Sequence, residues 1–256
     1  MNWLNISFDK LIYWFLGNHK FKAVKVDESN LKHRFYPVKD SKTLYVNILG
    51  WNIHFRDSFS ARKNINKKGF SCVTYQFPCG MLSPDIDLTK KNFIQVKKII
   101  LNDMKRYVLK YGFEKIIVSG TSLGGILAFL VSNGNRLVDE LVLINPGYDL
   151  AESLWTSILT NKLRKKYENQ GVTLKKLNLL WRDITPYKNL DKLKGKNIFI
   201  FTSKADKAIS FSQADKLIKE LKKRGYKVNC NINRFLGHYL TIFFTYKRGL
   251  RKLNSL

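Results

Sequence analysis

The chain has 256 residues, with 46 Lys and Arg against 19 Asp and Glu, a net charge of +27. Hydrophobic residues at 45% exclude a disordered chain despite that charge, and five prolines with fifteen glycines exclude collagen-like or proline-rich sequence. Three cysteines without a CxxC pair argue against a disulfide framework or zinc ribbon and suit a reducing compartment.

The length allows one large domain or two small ones and leaves room for a substantial core. The lysine excess has two readings. It draws the protein to anionic membrane or nucleic acid, or it is a solvated surface typical of AT-rich coding.

In chain order, Leu4, Phe8, Leu11, Ile12 and Phe15 recur at helical spacing, so residues 1–20 are expected to hold an N-terminal apolar helix. Asp9 and Lys10 interrupt it, and it falls short of the roughly 20 apolar residues a membrane span needs. Lys10 lies inside the apolar run and no small-residue cleavage site follows, so no signal peptide is read. The helix either packs on the core or lies in a membrane interface with Trp3, Tyr13 and Trp14 at headgroup level. The expected placement is cytoplasmic, with peripheral contact to anionic membrane as the sharper variant.

Residues 21–26 and 32–38 read as two short strands around a polar turn. Residues 43–49 (TLYVNIL) form a strong strand ending in Gly50-Trp51-Asn52, and residues 70–77 (FSCVTYQF) form another. A helix follows over 93–111, with Gly112 where a C-cap glycine belongs. Residues 115–119 (KIIVS) and 140–144 (ELVLI) are short continuous apolar runs, the mark of strands buried on both faces. Between them lies a small-residue helix over 123–131. Residues 148–190 are helical and lysine-rich without a clear strand. A strand at 197–202, a helix at 211–224, a strand at 227–233 and a helix at 239–253 complete the chain. Strands alternating with helices predict an α/β fold, a mostly parallel sheet covered on both faces. With no flexible linker, the chain reads as one domain over 1–256, with 148–190 as a helical cap insertion.

Gly120-Thr121-Ser122-Leu123-Gly124 is a G-x-S-x-G between a buried strand and a helix, the context this motif requires. Gly120 and Gly124 leave room for a turn so tight that Ser122 must adopt a strained backbone, which lifts its hydroxyl above the sheet edge. A serine needs a base, and in this architecture the base follows it in the chain. His19, His33 and His54 precede Ser122, which leaves His238. The acid belongs on a loop after an intervening strand, so Asp206 is the first candidate and Asp149 the alternative. Asp183 and Asp191, in or beside the cap, suit the role less. The oxyanion donors are expected to be the backbone N–H groups of Leu123 and of Trp51, with Gly50 allowing close approach.

Together these residues resemble the α/β-hydrolase superfamily. The resemblance runs from about residue 43 to 253: an oxyanion loop, the elbow GTSLGG, the strand end LINP, a helical cap, the acid loop SKADKAI and the histidine loop GH. One departure is Leu49-Gly50 where many members have His-Gly. The resemblance implies a serine hydrolase, esterase- or lipase-like, working through an acyl-enzyme on a small acyl substrate without a cofactor. Leu150, Leu154, Trp155, Ile158 and Leu159 either roof an acyl chain or join cap to body. The first reading suggests an ester or thioester substrate, such as a monoacylglycerol or lysophospholipid. A non-catalytic scaffold that binds anionic membrane or nucleic acid through its basic surface is the alternative. No P-loop, dinucleotide fingerprint, H-E-x-x-H or metal-spaced His/Cys cluster appears, and no RNA-binding signature. Cys72 and Cys230 read as strand residues and Cys79 as a loop residue near the site.

Overall fold

A computed structural model describes residues 21–247. Seven strands form one sheet: β1 (Lys32–Tyr36), β2 (Thr43–Ile48), β3 (Ser71–Gln76), β4 (Lys115–Thr121), β5 (Glu140–Ile144), β6 (Asn197–Ser203) and β7 (Val228–Asn233). Their order is β1-β3-β2-β4-β5-β6-β7. Only β1 runs antiparallel to its neighbour. This is the α/β-hydrolase fold.

Side chains alternate between the two faces with the two-residue period of a strand. Leu44, Val46 and Ile48 of β2, with Ile116 and Val118 of β4, enter the larger core. Helices α2 (Ile86–Tyr111), α3 (Leu123–Ser132) and α7 (Phe211–Lys223) cover that face. Tyr45 and Ile117 point the other way, onto α1 (Phe59–Asn66) and α8 (His238–Lys247).

Between β5 and β6 lie α4 (Leu150–Thr156), α5 (Asn161–Asn169), α6 (Leu174–Leu180) and several short 3-10 turns. Polar ties hold this region down. Tyr167 donates its hydroxyl to Ser83 O at 2.6 Å, and the Trp181 indole donates to Ile86 O at 3.1 Å.

The structure corrects the sequence reading in several places. Residues 21–26 are not a strand. They run as irregular chain, pinned where Asn92 accepts from Val26 N–H and donates to Val24 O. Here the alternation of apolar residues served packing and built no ladder. Helix α2 starts at Ile86, seven residues before the expected start at Phe93, because Asp85 caps it by accepting from Leu88 N–H. Helix α1 was not expected. Only Ala61 and Ile65 of its eight residues are buried, too few to show a period. The apolar helix expected over residues 1–20 and the part of the last helix expected over 248–253 lie outside the described residues. Among the described residues no helix is long and apolar enough to cross a membrane.

Candidate active site

From β2 the chain steps back toward β1 to form β3, then crosses to the other side of β2 to form β4. The direction of winding therefore reverses between β2 and β4, and such a point opens a crevice beyond the carboxyl ends of the strands. Ser122 sits there, immediately after β4.

Its backbone has φ 53° and ψ −122°, a strained conformation for a residue with a side chain. Two hydrogen bonds fix it: Ser122 N–H donates to Ile144 O at 2.8 Å, and Ser122 O accepts from Gly125 N–H at 2.8 Å. The flanking glycines are sterically required. A Cβ at Gly120 would lie 2.1 Å from Gly124 O, and one at Gly124 would lie 2.3 Å from both Ile48 O and Leu49 O. Ser122 itself is half-buried at the start of α3.

His238 opens α8 and is buried at 2% exposure. Its Nδ1 lies 2.6 Å from Asp206 Oδ2. A carboxylate only accepts, so a neutral ring carries its proton on Nδ1 and its lone pair on Nε2. The other Asp206 oxygen accepts from Ala208 N–H at 2.8 Å and Ile209 N–H at 2.9 Å, which fixes the loop after β6. Lys204 N–H, at the start of that loop, donates to Asn233 O at the end of β7. His238 and Ser122 line the same cleft.

Asp149 also ends a strand turn and is buried, but it contacts other groups. It caps α4 by accepting from Glu152 N–H at 3.0 Å. The Asn178 amide, with its nitrogen toward the carboxylate, donates to both oxygens at 2.9 and 2.8 Å. Burial pushes the Asp149 carboxyl above its ordinary value.

The loop after β2 reaches the elbow closely. A Cβ on Gly50 would stand 3.3 Å from Ser122 Cβ and 3.1 Å from Thr121 O. Trp51 is held by its indole N–H on Cys79 O at 2.9 Å and by stacking on Phe21, with centroids 5.3 Å apart. Trp51 and Leu123 both line the cleft beside Ser122. As the first residue of α3, Leu123 presents an N–H that no turn of its own helix can use. Cys79 donates its thiol to Asn52 Oδ1 at 3.1 Å, and burial pushes its pKa up, so it stays a neutral thiol.

The cleft is narrow, with about 50 Å³ of space for water-sized groups. Its apolar wall comes from Ile126, Leu150, Leu154 and Leu159. Of the five cap residues read either as an acyl-chain roof or as cap-to-body contacts, Trp155 and Ile158 do not line it, and Ile158 is exposed. The three that do also belong to the core that joins this region to the sheet.

Residues 105–251 match the prolyl oligopeptidase family. The chain belongs to the prolyl oligopeptidase family. That match covers more than half of the sequence and places it among the α/β hydrolases as a serine hydrolase. No curated protein matches the chain. Among solved structures, acylaminoacyl peptidase of Pyrococcus horikoshii superposes with a TM-score of 0.68 at 15% identity, over 91% of this chain and 39% of its own. This chain thus spans well under half of that peptidase. Esterase 2 of Thermogutta terrifontis with propionate bound superposes with a TM-score of 0.64 at 18% identity, over 94% of this chain and 96% of its own. The butyrate-bound form gives 0.63 at 17%, over 91% and 93%.

Two residues at the site escaped sequence reading. Buried Gln213 on α7 accepts at Oε1 from Tyr148 N–H and Asp149 N–H, and so shapes the turn after β5. Asn145, the first residue after β5, donates from Nδ2 to His238 O at 2.9 Å. An Asn in a strand-ending Asn-Pro-Gly reads as an ordinary turn residue, and nothing in sequence links it to a histidine far along the chain.

Proposed function

We propose that this chain hydrolyses carboxylic esters or thioesters with short acyl groups through an acyl-enzyme on Ser122. The observation that carries the reading is the 2.6 Å contact of His238 Nδ1 with Asp206, in a cleft His238 shares with Ser122. Ser122 Oγ attacks the acyl carbon as His238 Nε2 takes its proton. The oxyanion that forms accepts hydrogen bonds from the N–H groups of Leu123 and Trp51. His238 returns the proton to the leaving alcohol or thiol. Water then attacks the acyl-enzyme, His238 again acting as base, which releases the acid and restores Ser122. Asp206 holds the ring in the working tautomer throughout.

The cleft volume bears on the acyl group. About 50 Å³ is well below the roughly 300–1,000 Å³ of a pocket for a drug-sized ligand, which favours a short acyl chain over a long one. The propionate and butyrate captured by the Thermogutta esterase support the same size class. A monoacylglycerol or lysophospholipid would have to run its chain out through the mouth.

Labelling with a fluorophosphonate tests the nucleophile. The adduct is expected on Ser122 and lost in Ser122→Ala. Nitrophenyl esters from acetyl to octanoyl should be cleaved best up to butyryl, with at least about a tenfold fall by octanoyl, since misfitting a methylene costs roughly 1–3 kcal/mol. Peptide amides, assayed alongside, should be slower. Faster amide cleavage would overturn the ester reading, and the absence of both adduct and turnover would overturn the whole mechanism.

A further inference from the structure

We infer that Asn145 is a positioning residue that holds the nucleophile, acid and base loops in register. The inference rests on the proposed Ser122–His238–Asp206 chemistry, but its geometry is separate from that of the three side chains.

Residues 144 and 145 make one bond toward each loop. Ile144 O accepts from Ser122 N–H at 2.8 Å, which fixes the elbow. Asn145 N–H donates to Phe201 O at 2.8 Å, joining this point to β6, the strand that delivers Asp206. Asn145 Nδ2 donates to His238 O at 2.9 Å, holding the start of α8. The amide is 1% exposed, so water cannot take over that bond.

Two details show that placement of this amide is costly. Its backbone is left-handed, with φ 48°, a region that Asn tolerates better than most residues. Its Oδ1 is buried with no hydrogen-bond partner, an unfavourable state. Turning the amide over would set that oxygen against the His238 carbonyl oxygen. The donor therefore stays on His238 O, and the unsatisfied oxygen is the consequence. The same nitrogen lies 3.4 Å from His238 Nδ1. Because Nδ1 bears its own proton toward Asp206, this is a packing contact that limits sliding of the ring.

Two substitutions separate the donor from the backbone conformation. Asn145→Gly keeps the left-handed backbone and deletes the donor. Asn145→Asp keeps shape and size but puts an oxygen against His238 O. With a short nitrophenyl ester, both should lose kcat by about 10- to 100-fold, the scale of a misplaced catalytic group. KM should stay within about threefold, because the acyl cleft is untouched. A purely structural role would lower thermal stability and leave kcat of the folded protein unchanged. The inference is overturned if both variants keep kcat within about twofold of wild type while Ser122→Ala and His238→Ala are inactive. If Ser122→Ala retains turnover, the proposed mechanism fails first, and that outcome is distinguishable.

Discussion

Strands β5 and β6 end side by side, and each is followed by a turn with a buried aspartate that accepts backbone N–H bonds. Asp149 and Asp206 are equally exposed, at 6%. They differ in how the bonds are shared. Asp206 gathers its loop with one oxygen and offers the other to His238. Asp149 gives one oxygen to the α4 N-terminus, and both face Asn178. A buried carboxylate at a strand end thus either spends its bonds on a cap or keeps an oxygen for a histidine, which is what the proposed role of Asp206 as orienting acid requires.

The comparison is broken most directly by exchanging the roles. Asp206→Asn should reduce kcat by about 10,000-fold, because the amide favours the wrong histidine tautomer, whereas Asp149→Asn should stay within about twofold of wild type. Steady-state kinetics on the same ester decide it. Equal losses would mean that both carboxylates reach the base. Next in size, Asp149→Ala should cost about 1 kcal/mol of stability through the lost cap, read as a lower denaturant midpoint with kcat nearly unchanged. Smaller again, Tyr246→Phe tests whether the base loop is held from the far end of α8. Its hydroxyl donates to Asn47 Oδ1 at 2.9 Å and meets Thr121 Oγ1 at 3.0 Å, and burial pushes its pKa up to about 12. The change should cost about 1 kcal/mol in a melting experiment and leave KM unaltered.

The sheet was legible because its central strands are buried on both faces and so read as continuous apolar runs, as in residues 115–119 and 140–144. Motif and chain order singled out Ser122 and His238, and place after a strand singled out Asp206; the fold brings Ser122 and His238 to one cleft and sets His238 against Asp206. What escaped has a common physical cause. Helix α1 and the chain at 21–26 are defined by what they pack against. The contacts of Asn145 and Gln213 join residues 93 and 64 positions apart. A local pattern carries no record of such contacts. Choosing between Asp149 and Asp206 needed the same long-range information, since the decisive partner lies beyond β7.

His238 belongs to α8, which follows β7 in the chain and packs on β5 and β6. During synthesis the strained Ser122 therefore emerges well before His238, the base of the proposed mechanism. On that mechanism, a nascent chain that stops short of α8 has nothing to take the Ser122 proton. Hydrolysis would then switch on only when α8 docks, so enzyme activity would report the completion of folding more sharply than any spectroscopic measure of helix or sheet.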